Sequence, residues 1–167
     1  MKFYLMLFVT VITGLLAQLL FMQYASVYGA APQVMLVCVI FMALRYGPLF
    51  GEIFGFAAGL VLDTFMLSVF GVNSMVFTVT GFVYGSLSGK INEQKLGVQL
   101  LLAFAASCLL AGMLWFTSAV FSHDRAYGAR ALMAIPVYTT LLSPVLIILY
   151  RIWIVLVEKW SGTANRA

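Results

Sequence analysis

The sequence predicts an all-α polytopic membrane protein with six transmembrane helices, and three observations carry that expectation. Of 167 residues, 64% are hydrophobic and only 8% are charged, against about 25% charged in an ordinary soluble domain. The apolar residues fall in long runs, and the nine Lys and Arg are dispersed singly between them. A crossing needs roughly 20 apolar residues at about 1.5 Å rise, so the chain has room for about six. Residues 1–167 are expected to form a single integral membrane domain, with no linker and no soluble segment long enough to fold alone.

Helix 1 is expected at about 3–24, with Lys2 before a long apolar run and no convincing small-residue cleavage site, so it reads as a retained helix. Helix 2 begins near Pro32 and stops at Arg45-Tyr46-Gly47-Pro48, giving 32–44. At roughly 20 Å it is short for a crossing, and it should be a span shielded by its neighbours. Helices 3 and 4 follow at 48–70 and 73–88, separated by a turn containing Gly71. Helix 5 covers 97–121 and helix 6 covers 131–157, the latter containing Pro136 and Pro144, with Thr139, Thr140 and Ser143 placed to satisfy the carbonyls that proline frees.

An even number of crossings puts both termini on one side. Lys2, Arg45, Lys90, Lys95, Arg151, Lys159 and Arg166 fall on that side, against Arg125 and Arg130 on the other. Cytoplasmic loops carry the excess of Lys and Arg, so the termini are expected in the cytoplasm. Tyr24, Tyr28, Tyr46, Tyr127, Tyr150, Trp153 and Trp160 suit an interfacial belt, whereas Trp115 lies inside helix 5.

The net charge of +4 comes without a basic stripe, which argues against nucleic acid. Cys38 and Cys108 sit in apolar runs without a CxxC or Cys/His companion, so neither a disulfide nor a metal site is expected. His123, the single histidine, lies with Asp124 and Arg125 in the most polar loop and reads as solvated. No nucleophile has a base nearby and no phosphate-binding loop is present, so the sequence predicts neither an enzyme nor a cofactor.

Helix 3 is the unusual element, because Glu52 and Asp63 interrupt an apolar segment. An acid near the membrane centre costs about 2.5–3.5 kcal/mol on insertion scales, and something must compensate. Their spacing is about three helical turns, which puts both on one face roughly 16 Å apart. Arg45 is placed to neutralise Glu52. For Asp63 two readings stand: a proton or ion relay, or a structural acid hydrogen-bonded to residues such as Asn73 or Ser74.

Gly51, Gly55 and Gly59 recur at spacing four with Asp63 continuing the row, and helix 4 repeats the device with Gly81, Gly85 and Gly89. Small residues at this spacing let helix backbones approach. The rows predict either close antiparallel packing of helices 3 and 4 or a groove for a partner's transmembrane helix.

The segment from Leu44 through Arg45, Tyr46, Gly47 and Pro48 to Asp63, followed by Gly71-Val72, resembles the signature of the rod shape-determining protein MreD family. That pattern is a glycine-rich turn, then G-F-x-x-G-L-x-x-D, then leucine or phenylalanine before glycine. Gly55, Phe56, Gly59, Leu60, Asp63, Phe70 and Gly71 match it in order. Members often have Arg-Pro-Asp before helix 2, where this chain has Ala31-Pro32-Gln33 and matches only at the proline.

The resemblance implies a non-enzymatic subunit of the bacterial elongation machinery in the inner membrane. It would bind the bitopic protein MreC and help couple MreB filaments to cell-wall synthases, with membrane lipid around it and no small-molecule substrate. Gly51, Gly55, Phe56, Gly59, Asp63, Gly81 and Gly85 are then the candidates for partner binding or helix packing, and Arg45 and Glu52 for charge compensation. The family is also similar in fold to the six-helix S components of energy-coupling-factor vitamin transporters. That alternative requires an outward polar pocket, for which Asn73, Ser74, His123, Asp124 and Arg125 are the available walls.

Overall fold

The structure is a computed structural model that describes residues 2–24, 31–65, 70–89, 96–121 and 129–161. These residues form six α-helices: α1 (Lys2–Tyr24), α2 (Val34–Tyr46), α3 (Pro48–Phe65), α4 (Val72–Leu87), α5 (Leu96–Phe121) and α6 (Ala129–Ser161). No strand occurs among them. Three stretches, Pro48–Phe65, Gly97–Thr117 and Met133–Trp153, are long and apolar enough to cross a membrane. Phe8–Tyr24, Val34–Tyr46 and Val72–Leu87 are apolar but shorter.

Helix α2 occupies the centre. It has 13 residues, ten of them buried, and it contacts each of the other five helices. Val34 to Leu44 is apolar throughout, and a helix apolar on every side is the one that can be surrounded. Its shortness is accommodated because neighbours enclose it. Large exposed apolar side chains lie on the other five helices, as at Leu16, Leu49, Phe82, Leu101 and Leu141, and none lies on α2. Such a surface would be an aggregation liability in water and is solvated by lipid chains in a bilayer.

A buried helix start needs partners for its first N–H groups, because no water reaches them. Gln33 precedes α2 in a non-helical conformation (φ −87°, ψ 76°) and makes no capping bond with its own side chain. Gln18 of α1, fully buried, takes over. Its Oε1 accepts the Met35 N–H at 3.2 Å, and its Nε2 donates to the Pro32 carbonyl at 3.2 Å. The Thr139 hydroxyl of α6 accepts the Gln33 N–H at 3.1 Å. Helix α2 therefore starts at Val34, two residues after the expected Pro32, whose carbonyl serves this junction instead.

The α2–α3 break is local. Gly47 has φ +88°, a left-handed value that favours glycine, and its N–H closes α2 on the Ala43 carbonyl at 2.9 Å. Pro48 opens α3 at the position where its missing N–H costs nothing. Ser88, just beyond α4, donates to the Leu44 carbonyl and so helps cap α2.

Helix α6 runs through both of its prolines. Pro144 frees the Thr140 carbonyl, and the Ser143 hydroxyl donates to it at 2.8 Å. Thr139, expected in the same role, is instead turned outward from its helix to Gln33. Tyr150, expected in the interfacial belt, is buried and stacks on Phe41 of α2 with ring centroids 6.4 Å apart. Its ring fills the gap between α2 and α6. Helix α3 ends at Phe65, and Phe70 lies in the turn before α4, outside the helix expected to reach it. Tyr28 and Tyr127 lie outside the described residues, as do Lys90, Lys95, Arg125 and Arg166, and the Trp160 side chain is likewise not described.

Replacing Gln18 with Leu keeps the volume and removes both polar functions. The Met35 N–H and Pro32 carbonyl would then be buried without partners, at a cost of roughly 2–3 kcal/mol. In detergent, the apparent Tm of Gln18→Leu is expected to fall by several degrees relative to the unmodified protein.

Candidate functional site

Most residues singled out in the sequence meet in one place, the α3–α4 hairpin. The two helices run antiparallel with their backbones in contact. A Cβ built on Gly51 would come within 2.5 Å of the Gly81 carbonyl oxygen and 2.6 Å of the Ala43 Cβ on α2. On Gly55 it would overlap the Phe77 carbonyl, and on Gly59 the Ser74 backbone. From the other side, Gly81 meets the Gly51 carbonyl and Gly85 meets Pro48. The facing rows are therefore filled by each other's main chain. Dispersion contacts between backbones hold such a pair in a medium that offers no hydrophobic driving force.

This close approach carries Asp63 to the start of α4. Gly71 precedes α4 with φ +98° and has no side chain to cap it. The Asp63 carboxylate, 3% exposed, does so from the neighbouring helix. Its Oδ1 accepts the Asn73 N–H at 3.1 Å and the Asn73 Nδ2 at 2.9 Å. Its Oδ2 accepts the Ser74 N–H at 3.0 Å and the Ser74 hydroxyl at 2.6 Å. Asn73 and Ser74 are the second and third residues of α4, whose N–H groups an ordinary capping residue would satisfy. A carboxylate here also meets the positive end of the helix dipole. Four donors, all from α4, compensate the buried acid.

Phe56 faces the other way. It is 51% exposed and, with Leu60, Phe70, Met75 and Val79, lines an apolar depression of about 510 Å³ on the outer side of α3 and α4. Glu52 is half-buried near the start of α3. Arg45 lies over the Tyr46 ring, 5.9 Å from its centroid, and lines a cavity with Gln99 and Arg151. Gly89 lies beyond α4 with φ +74° and takes no part in the glycine contact, since a side chain there would project into open space. Asn73 and Ser74, possible walls of a ligand pocket, are directed to Asp63, while His123, Asp124 and Arg125 lie outside the described residues. Cys38 and Cys108 are free thiols on α2 and α5.

The residues that meet in this hairpin are those of the signature, and the family comparison extends the likeness along the chain. A family model described as rod shape-determining protein MreD matches residues 1–159. The chain belongs to the MreD family. It is accordingly a membrane protein of cell-shape determination, from a family that is structural in character. No curated protein and no solved structure matches.

In this MreD chain the signature residues divide between the two faces of one hairpin. Gly55, Gly59 and Asp63 point inward, and Phe56 and Phe70 point outward. Sequence reasoning passed over Gln18 and Gln99, and it gave Thr139 a bond within its own helix where the structure joins it to Gln33. Gln18 carried a usable signal, since an amide within an apolar helix requires a buried partner. Thr139 carried none, because a hydroxyl can satisfy its own helix as readily as another element.

Two outcomes are expected for the hairpin. Gly59→Leu should separate α3 from α4 and abolish accumulation of folded protein, whereas Gly112→Leu, at an α5 position with open space where a side chain would project, should accumulate normally on a membrane immunoblot. Asp63→Asn places an amide N–H₂ where one pair of donors now points, which leaves donors facing donors. It is expected to cost about 2–4 kcal/mol, measured as a lowered Tm in detergent.

Proposed function

We propose that this MreD-family protein is a six-span adaptor of the bacterial inner membrane with both termini in the cytoplasm. It binds a bitopic MreC-type protein and helps couple MreB filaments to peptidoglycan synthases. Family membership over residues 1–159 is the observation that carries this reading. The shorter helices α2 and α4 complete their crossings within the bundle, where neighbouring helices meet their polar ends. The orientation rests on the excess of Lys and Arg on the terminal side.

The partner surface follows from which face is free. The glycine face of α3 is closed by α4, so a transmembrane helix approaching this hairpin meets the outer side, where Phe56, Phe70, Met75 and Val79 offer an apolar depression. Helix-in-groove contact through aromatic and Met side chains suits such a surface. A chain composed almost wholly of helices must recruit partners laterally or through short loops.

The test is affinity purification of the tagged protein from its native membranes in mild detergent, followed by mass spectrometry. Recovery of MreC and cell-wall synthases is expected, and Phe56→Ala combined with Met75→Ala should lower MreC recovery several-fold at unchanged levels of the tagged protein. Recovery of a transport ATPase pair in their place would make the chain a vitamin-binding subunit and overturn the adaptor reading. Undiminished MreC recovery from the double variant would move the contact to another face.

A further inference from the structure

The outer side of the α3–α4 hairpin carries one group that its apolar depression does not account for. Glu52 stands four residues before Phe56 and eight before Leu60, so the three form a row along α3, with roughly 6 Å of rise between successive members. Phe56 and Leu60 line the depression, and their row therefore continues past it to a carboxylate. On α4, exposed Phe82 extends the line of Met75 and Val79 toward the same end.

Arg45, expected to neutralise Glu52, lies instead over the Tyr46 ring and beside the cavity lined by α2, α5 and α6. Among the described residues, no hydrogen bond or ion pair reaches the half-buried Glu52 side chain. Neither α3 nor α4 contains a Lys or Arg. Asp63, the other acid of this helix, differs in having four donors from its own hairpin. A carboxylate at the rim of an apolar groove, with no cation of its own, is complementary to a cation brought by whatever lies in the groove.

The position of Glu52 decides which cation is available. With the termini in the cytoplasm, α3 starts on the cytoplasmic side, and Glu52 lies within its second turn. A single-span helix carries its Lys and Arg beside its cytoplasmic end. Laid along Phe56, Leu60, Met75 and Val79 with that end beside Glu52, such a helix brings its cation to the carboxylate. A second copy of the chain using the same face would bring another carboxylate and no cation.

We propose that Glu52 is the polar anchor of the partner groove. It forms an ion pair with a Lys or Arg at the cytoplasmic end of the bitopic partner's transmembrane helix, and so fixes how deep that helix lies along the hairpin. This pairing rests on the adaptor reading, whose partner it gives a defined chemistry. The apolar depression supplies contact area, and the ion pair supplies register and specificity.

The tagged full chain and its Glu52→Gln variant are purified from native membranes in mild detergent, and the MreC recovered with each is quantified by immunoblot. Glu52→Gln is expected to lower MreC recovery roughly tenfold. The level and Tm of the tagged protein should not change, because the carboxylate makes no bond among the described residues. Glu52→Lys should abolish recovery. Changing to Glu, in turn, each Lys or Arg that flanks the MreC helix on its cytoplasmic side should restore recovery at one position. Undiminished recovery with Glu52→Gln, or the lack of any restoring position, would overturn the ion pair, while MreC recovered by the unmodified chain would leave the adaptor reading standing. A lowered Tm for Glu52→Gln would make Glu52 a structural acid and overturn the anchor. Loss of a second, differently tagged copy of the chain in place of MreC would make the groove a self-contact. No MreC with the unmodified chain would overturn the adaptor reading and the anchor together.

Discussion

Each α-helix begins with four N–H groups that have no partner within it, and the interior of a bilayer supplies no water to take them. Among the described residues that constraint falls hardest on α2 and α4, whose first turns are buried against the rest of the protein. Both starts are met by a side chain of the preceding helix. Gln18 of α1 holds the start of α2, and Asp63 of α3 holds the start of α4. The residues before these helices, Gln33 and Gly71, make no capping bond with their own side chains. Each bond that satisfies a helix start is thus also a tertiary contact, and backbone satisfaction and helix packing become one event.

The glycine rows matter because of this coupling. Asp63 can reach the second and third N–H groups of α4 only where the α3 and α4 axes run close together, and a side chain at Gly55 or Gly59 would hold them apart. In return, the four bonds at Asp63 fix the register of the hairpin, since a slip of one residue would move the carboxylate off both Asn73 and Ser74. Gly51 extends the arrangement inward, touching Ala43 of α2 as well as Gly81. The signature acid and the signature glycines therefore constitute a single device. Committing both oxygens of Asp63 to α4 also favours a structural acid over a proton relay.

Helical class and helix number were legible because composition and hydropathy run uniformly along each segment. The Pro48 boundary was legible for a local reason, as proline and the glycine before it act on their own backbone. Asp63 could be placed near Asn73 and Ser74 because a buried acid demands donors and few polar residues stand close in sequence. The roles of Thr139 and Tyr150 were not legible. Both depend on which helix lies opposite, and a residue suited to a membrane interface, such as tyrosine, packs equally well in the interior against a ring such as Phe41. The inner or outer placement of each glycine face had the same obstacle, since a row of small residues marks a close approach without naming what approaches.

The division of faces constrains how such a protein can act. Its glycine surface is spent on its own hairpin, and its central helix touches no lipid-facing position with a large exposed side chain. Among the surfaces that stay open are the outward side of α3 and α4 and the cavity lined by α2, α5 and α6. These lie on different helices joined through α2, which packs against all of them. Both surfaces therefore rest on one buried helix, with ten of its 13 residues enclosed.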